Sequence, residues 1–181
     1  PLKHVHLLPQ GAAVIDVGSG AGFPGLPLAV ARPDLRFTLL DAQQKRVRFL
    51  QEAVSLLSLG NVDILHARAE DAARLPAYRE RFDVSLARAV APLPVLLEYL
   101  LPFVVPGGRA LCWKGPAVSQ ELPPGRQAAR LLGGLLEDPI PTPFPGQERA
   151  HLLLPCKKIQ KTARQYPRKA DTPSRSPLGG F

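Results

Sequence analysis

The chain has 181 residues, a formal net charge of +8 and a hydrophobic content of 45%, which is typical of one globular domain with a sizeable core. No apolar run approaches the roughly 20 residues of a membrane-spanning helix, and the first residues resemble neither a signal nor a transit peptide. Cys112 and Cys156 lack metal-ligand spacing, so we expect a cytoplasmic protein without a metal site.

In chain order, the first feature is an apolar run, residues 12–17, which is typical of a buried parallel strand and contains Asp16. Gly18, Gly20 and Gly22 follow and let a ligand lie against the main chain. A dinucleotide-binding loop has its third glycine one residue later, where Phe23 stands. The pattern of an acid followed by alternating glycines is instead typical of S-adenosylmethionine-dependent methyltransferases. A plain strand-to-helix turn is the alternative.

The rest of the chain alternates between predicted strands and helices. The predicted strands are residues 36–40, 62–65, 82–87, 109–114 and 151–154. The predicted helices are residues 24–32, 43–59, 93–103, a short one from residue 68 that Pro76 limits, and a weaker one over residues 117–132 that prolines 123 and 124 interrupt. A turn is predicted at residues 106–108. This alternation predicts an α/β fold, a doubly wound and mostly parallel sheet that binds ligands at the carboxyl ends of its strands.

Three of these strand ends carry candidate site residues. Asp41 ends the second strand, where an acid accepts hydrogen bonds from ribose hydroxyls. Ala69 and Glu70 follow the third strand and are placed to meet an adenine, although Glu70 also fits a plain acid at a helix N-terminus. Arg88 ends the fourth strand, beside the expected sulfonium. A cation there favours an anionic nucleic acid as second ligand, and a surface ion pair is the alternative.

The residues near the later strands restrict the reaction. The chain lacks the Asn/Asp-Pro-Pro-aromatic motif of exocyclic amine methylation, and Cys112 and Cys156 are typical of buried small hydrophobes rather than nucleophiles. Methyl transfer to a ring nitrogen with its own lone pair, such as guanine N7, needs neither that motif nor a cysteine nucleophile. No proton has to leave the acceptor, so the main requirement is alignment of donor and acceptor. We expect Trp113 to pack in the core and Lys114 to face substrate phosphate.

The positive charge is concentrated at the C-terminal end, where residues 157–181 carry +6 and the remaining residues +2. The cations of this tail are Lys157, Lys158, Lys161, Arg164, Arg168, Lys169 and Arg175. A basic segment on a nearly neutral domain favours a polyanionic partner, because neutralised phosphates release counterions. We therefore divide the chain into a domain over residues 1–156 and an RNA-contacting tail over residues 157–181. A solvated, disordered tail is the alternative.

Several motifs occur together over essentially the whole chain. They are DVGSGAGFPGLPL at residues 16–28, LDA at 40–42, KRVRFL at 45–50, RAED at 68–71, ARAVA at 87–91, WKG at 113–115 and YPRKADTPSRSPL at 166–178. In combination they resemble the bacterial small-subunit ribosomal RNA guanine-N7 methyltransferase G family, also called glucose-inhibited division protein B.

The resemblance implies methyl transfer from S-adenosylmethionine to N7 of a guanine in 16S ribosomal RNA, free or in the small subunit. We expect a monomer. It implies that Gly18 and Phe23 line the cofactor loop, that Ala69 and Glu70 contact the adenosine end, and that Arg88 is the catalytic residue at cofactor and target. Gly20, Gly22 and Asp41 are assigned to the cofactor site by the general pattern of S-adenosylmethionine-dependent methyltransferases. Lys114 and the seven cations of the tail are the expected RNA contacts.

Two departures from the family pattern are visible. Members begin with a helical segment before the first strand, which this sequence lacks, and Asp171 stands where relatives often have glycine. Two other functions therefore remain open. One is a small-molecule S-adenosylmethionine-dependent methyltransferase, which would not need the tail. The other is a catalytically impaired RNA-binding relative.

Overall fold

The computed structural model describes residues 2–88, 90–143 and 151–180. These residues form one eight-stranded sheet with helices packed against it. The strands are β1 Ala13–Val17, β2 Arg36–Asp41, β3 Val62–His66, β4 Phe82–Arg88, β5 Val104–Lys114, β6 Gly134–Leu136, β7 Ile140–Thr142 and β8 His151–Lys158. The α-helices are α1 Gly25–Ala31, α2 Gln44–Leu56, α3 Ala69–Ala72, α4 Leu93–Leu100, α5 Leu122–Leu131 and α6 Thr172–Arg175, and the 3-10 helices are Leu2–Leu7, Leu101–Phe103 and Pro116–Glu121.

The sheet has the strand order β3-β2-β1-β4-β5-β8-β6, and β7 also pairs with β8. Strands β1 to β5 run parallel, whereas β8 runs antiparallel to β5, β6 and β7. The α/β fold with a mostly parallel sheet is thereby confirmed. The order reverses between β1 and β4, and sheets of this kind bind ligands in the crevice at such a reversal.

The central strands are buried on both faces, which explains their continuous apolar sequence. Val14, Ile15 and Leu86 are inaccessible to solvent. Helix α2 covers one side of the sheet with the buried Val47 and Leu50. The predicted helix over residues 43–59 is longer than α2, and Leu57, which continues the spacing of these apolar residues, is 50% exposed because α2 ends at Leu56.

Two proline-rich segments differ from the prediction. The prolines at positions 123 and 124 lie in the first turn of α5 and do not interrupt it, because the N–H groups of a first turn have no partner inside the helix. The turn predicted at residues 106–108 is a bulge inside β5. The register passes from the pair Phe82 and Val104 directly to Val84 and Arg109, so β5 carries extra residues there.

The C-terminal region is held against the domain. Strand β8 extends to Lys158, beyond the predicted strand over residues 151–154, so the first residues of the proposed tail belong to the sheet. Farther on, the guanidinium of Arg79 donates to the carbonyls of Thr162 and Tyr166, each at 2.8 Å. The guanidinium of Arg74 donates to the carbonyl of Pro167. These contacts describe a docked segment and not the solvated, disordered alternative.

Candidate functional site

A cleft of about 600 Å³ opens beside the glycine loop that follows β1 and the carboxyl end of β4. Its lining residues are residues 18–21, Phe23, Gln43, Lys45, Arg46, Phe49 and Arg88. The structure thus brings Gly18, Gly20, Phe23 and Arg88 together. The other predicted cofactor residues, Gly22, Asp41, Ala69 and Glu70, do not line this cleft.

The loop between β1 and α1 owes its path to glycine. Gly18 has a φ of +72° and its N–H donates to the carbonyl of Leu40 at 2.8 Å, which ties the loop to β2. A Cβ on Gly18 would come within 2.9 Å of the Val90 side chain, and one on Gly22, with a φ of +86°, within 2.2 Å of Leu26. Residues with a side chain rarely adopt such φ values. The loop backbone therefore stays bare where it borders the cleft.

Asp16 lies under this loop and is fully buried. One carboxylate oxygen accepts a hydrogen bond from the N–H of Gly25 at 2.9 Å, whereas Oδ1 has no hydrogen-bond partner among the described residues. Burial raises the pKa of Asp16 to about 7, an effect that the Gly25 hydrogen bond only partly offsets. An orphaned buried oxygen of this kind is suited to a hydrogen-bond donor from a ligand in the loop.

Asp41 connects the loop to α2. Its Oδ2 accepts from the N–H of Gly20 and its Oδ1 from that of Gln43, both at 2.9 Å. The guanidinium of Arg46 lies 3.5 Å from Oδ2. The carboxylate is almost completely buried and thus positions both the glycine loop and the start of α2. A hydrogen bond to ribose stays a prediction.

Ala69 and Glu70 are buried at the start of α3, the position expected from the end of β3. The carboxylate of Glu70 accepts from Nε of Arg68 at 2.8 Å, and another nitrogen of the same guanidinium lies 2.6 Å from Asp171 in the C-terminal segment. An ion-pair chain therefore joins that segment to the proposed adenosine end. The cofactor contacts of Ala69 and Glu70 stay predictions.

Arg88 is exposed at the end of β4, and its guanidinium carbon lies 5.8 Å from the centroid of the Phe23 ring. This is cation–π geometry. Among the described residues no carboxylate lies within ion-pair distance of Arg88. The structure thus gives no support to the surface ion pair considered above, and the positive charge faces the cleft.

The sequence-based site omitted the residues that α2 contributes, namely Gln43, Lys45, Arg46 and Phe49. Two cations in the first turn, where there is no acid, were the available indication. The N-terminus of a helix carries a partial positive charge and is stabilised by acidic residues. Cations at that position do not stabilise the helix, which indicates a role in the cleft.

The predicted RNA contact of Lys158 is wrong, because the side chain of this residue is fully buried. Its Nζ donates to the carbonyl of Leu101 at 2.7 Å and lies 3.3 Å from the carboxylate of Glu80, and Thr162 is a further partner. Burial lowers the pKa of Lys158 to about 8. Its role in this structure is to join the end of β8 to the neighbouring elements.

Arg168 and Lys114 are also engaged within the protein. Arg168 binds the fully buried carboxylate of Glu98, with the closest ion-pair contact at 2.7 Å. Lys114 lies 2.8 Å from the Glu121 carboxylate and donates to the carbonyl of Ala91 at 2.9 Å. Phosphate contacts by these two residues would require exchange of those partners. The exposed members of the predicted set are Lys157, Lys161, Arg164, Lys169 and Arg175.

The remaining candidates are part of the core. Cys112 and Cys156 are buried, as predicted, and burial raises the pKa of both thiols. Trp113 is buried in the sheet, which confirms its predicted packing role. Within residues 2–88, 90–143 and 151–180, no group of His, Cys, Asp or Glu has the arrangement of a metal site. No helix in these ranges is long and apolar enough to cross a membrane.

Comparison with known structures supports the fold. The chain is similar to the crystal structure of M. jannaschii TYW2 in complex with AdoMet, with a TM-score of 0.66 and 16% identity over 87% of this chain and 74% of that one. It is also similar to the antibiotic-resistance methyltransferase Kmr, with a TM-score of 0.65 and 21% identity over 87% of this chain and 92% of the other.

Sequence comparison identifies the family. The model of the GidB family, described as rRNA small subunit methyltransferase G, matches residues 2–137. Two relatives named ribosomal RNA small subunit methyltransferase G come from Alkaliphilus oremlandii and Leuconostoc mesenteroides. The first is 46% identical over 94% of this chain and 72% of its own length, and the second 49% identical over 92% and 70%. The chain therefore belongs to the rRNA small subunit methyltransferase G family.

Proposed function

We propose that this protein transfers a methyl group from S-adenosylmethionine to N7 of a guanine in 16S ribosomal RNA. The observation that carries the proposal is the cleft of this family member, where the glycine loop faces Lys45, Arg46 and Arg88 and no acid is among the lining residues. Such a site accommodates a cofactor against bare backbone and an anionic second ligand at its mouth.

The donor fits the residues around the loop. S-adenosylmethionine supplies an electrophilic methyl group on a sulfonium and has an amino acid end with an ammonium group. Oδ1 of Asp16, which has no hydrogen-bond partner within the described part of the chain, suits a donor such as that ammonium. Gly18, Gly20 and Phe23 provide the wall of the cleft. Gly22 shapes the loop behind this wall.

The acidic residues at the next two strand ends complete the proposed cofactor site. We assign the ribose contact to Asp41 and the adenosine contacts to Ala69 and Glu70, which all lie at carboxyl ends of parallel strands. This placement agrees with the rule for ligand sites in doubly wound sheets.

The acceptor requires alignment and no general base. Guanine N7 has its own lone pair, so no proton has to leave before attack, and the contribution of the protein is orientation. Buried thiols with raised pKa values are unsuited to nucleophilic attack, which agrees with a reaction that needs none. Arg88, held against the Phe23 ring at the cleft, is placed to contact both donor and acceptor.

The substrate is the RNA of the small ribosomal subunit, free or assembled, and we propose a cytoplasmic, monomeric enzyme. Exposed cations at Lys157, Lys161, Arg164, Lys169 and Arg175 support additional phosphate contacts along the C-terminal segment. Such contacts are expected to make RNA affinity depend strongly on salt concentration.

The test is methyl transfer in vitro. The protein and radiolabelled S-adenosylmethionine are combined in three reactions, each with a different acceptor. The acceptors are 16S ribosomal RNA, small subunits from a strain that lacks this methylation, and a mixture of small metabolites. Label in RNA supports the proposal. Label only in small molecules would favour the small-molecule enzyme, and RNA binding without label would favour the catalytically impaired relative.

A further inference from the structure

The cleft combines exposed aromatic rings with cations that come from α2, the glycine loop and the end of β4. We call Phe23, Lys45, Arg46, Phe49 and Arg88 the entry face; all five line the cleft. Phe23 is 50% exposed and Phe49 is 49% exposed. The other phenylalanines of the described residues are those at positions 37, 82 and 103, and they are buried. Exposed phenylalanine within the described part of the chain is therefore confined to this cleft.

The charge of the entry face exceeds what the cofactor needs. Its cations are Lys45, Arg46 and Arg88. Among the described residues only Arg46 of these three has a carboxylate within ion-pair distance, that of Asp41 at 3.5 Å, while Arg88 interacts electrostatically with the buried Asp16 at longer range. S-adenosylmethionine carries a sulfonium, an ammonium and one carboxylate at neutral pH, so its net charge is positive. Three cations around a positive cofactor are unfavourable unless an anionic ligand also enters.

We propose that the entry face binds the RNA strand that carries the target base, with Phe49 as a stacking platform for a base and Lys45 as a phosphate contact. Exposed aromatic rings interleaved with cations are the usual means of holding single-stranded RNA, because each base has a π-face and each nucleotide a phosphate. The inference rests on the proposed function and assigns the RNA path to α2 as well as to the C-terminal segment.

The test uses two variants and two matched controls on the same helix region. Phe49→Ala is compared with Leu57→Ala, since Leu57 is equally exposed at 50% but lies outside the cleft. Lys45→Ala is compared with Arg48→Ala, since Arg48 is an exposed cation of α2 that does not line the cleft. Thermal unfolding verifies that each variant is folded, and Phe49→Trp tests whether another ring restores binding.

Two dissociation constants are measured for each protein, one for a fluorescein-labelled single-stranded oligoribonucleotide at several salt concentrations and one for S-adenosylmethionine by calorimetry. Phe49→Ala should weaken RNA binding by about 5- to 150-fold, the range for loss of one base–aromatic stack. Lys45→Ala should weaken RNA binding and reduce the salt slope by about 0.7. Cofactor affinity should stay within about twofold, and both controls should bind RNA like the wild type.

Equal RNA affinity of the variants and their controls would overturn the inference. Loss of cofactor affinity in parallel with RNA affinity would also overturn it, because the face would then belong to the cofactor site. A wild-type protein that methylates ribosomal RNA while the variants bind RNA normally would leave the proposed function intact and reject the entry face alone. A wild-type protein that methylates no RNA would reject the proposed function itself.

Discussion

One of the contacts that dock the C-terminal segment is the ion pair of Arg168 with the buried Glu98, so removal of Arg168 should destabilise the protein. The carboxylate of Glu98, fully buried in α4, accepts from the backbone N–H of Arg168 at 2.8 Å, from its Nε at 3.0 Å and from its terminal nitrogen at 2.7 Å. In Arg168→Ala only the backbone donor would remain. The variant would therefore leave a buried negative charge without its counter-ion.

The expected magnitude follows from this geometry. Breaking a buried pair by removing one partner costs about 3–5 kcal/mol. The Arg168 side chain is 24% exposed and one hydrogen bond to Glu98 survives, so we expect the lower end, about 3 kcal/mol. For a chain of this size that corresponds to a decrease in melting temperature of about 6–12 °C.

The assay is thermal and urea unfolding of Arg168→Ala beside Lys169→Ala, which removes a neighbouring exposed cation. The control should unfold like the wild type. The double variant Arg168→Ala with Glu98→Gln should recover part of the loss, because a neutral amide costs less to bury than a carboxylate. An Arg168→Ala protein with unchanged stability but weakened RNA binding would refute this reasoning and return Arg168 to the RNA contacts.

Three further predictions concern the loop and Arg88. Since burial raises the pKa of Asp16 to about 7, the folded protein retains a proton that the unfolded chain loses above about pH 4. The titration of Asp16 thus lowers the free energy of unfolding as pH rises from about 4 to 7, by at most about 1.4 kcal/mol per pH unit. Urea unfolding at several pH values should show a shallower decrease of this free energy with pH in Asp16→Asn than in the wild type, and identical pH dependence would contradict the raised pKa. Gly18→Ala should weaken S-adenosylmethionine binding in calorimetry by about tenfold or more, because a Cβ meets Val90 at 2.9 Å. Gly11→Ala is the control for the same kind of substitution outside the cleft, since Gly11 has a similar φ of +70° and no atom of the described residues lies within 4 Å of its Cβ; it should bind the cofactor like the wild type, and equal affinity of the two variants would contradict an effect of Gly18 on the site. Arg88→Ala should lower kcat/KM for methyl transfer about 100-fold with an unchanged melting temperature, and undiminished turnover would remove Arg88 from the site.

The features that were predictable from sequence are those set by local patterns. The apolar run of β1, its closing acid and the alternating glycines identify the loop, because a buried parallel strand and a bare backbone both require particular residue types in sequence order. The helix predicted over residues 43–59 likewise corresponds to α2, whose Val47 and Leu50 recur at a helical spacing on its buried side. Strand ends then place Asp41 and Arg88 on one edge of the sheet.

The features that sequence reasoning missed depend on distant partners. The burial of Lys158 depends on Glu80, a residue far away in sequence, so the basic run alone places Lys158 among the exposed RNA contacts. The bulge in β5 depends on its register with β4, and a Pro-Gly-Gly sequence alone indicates a turn. Strands β6 and β7 have three residues each, too few to show an alternating pattern.

The most direct measurement of the central claim is the identity of the methylated nucleoside. 16S ribosomal RNA that lacks the modification is treated with the protein and S-adenosylmethionine, digested to nucleosides and analysed by mass spectrometry against authentic standards. We expect one new 7-methylguanosine per RNA, located to a single position by fragment mapping. Methylation of another atom, or unmodified RNA despite cofactor binding, would contradict it.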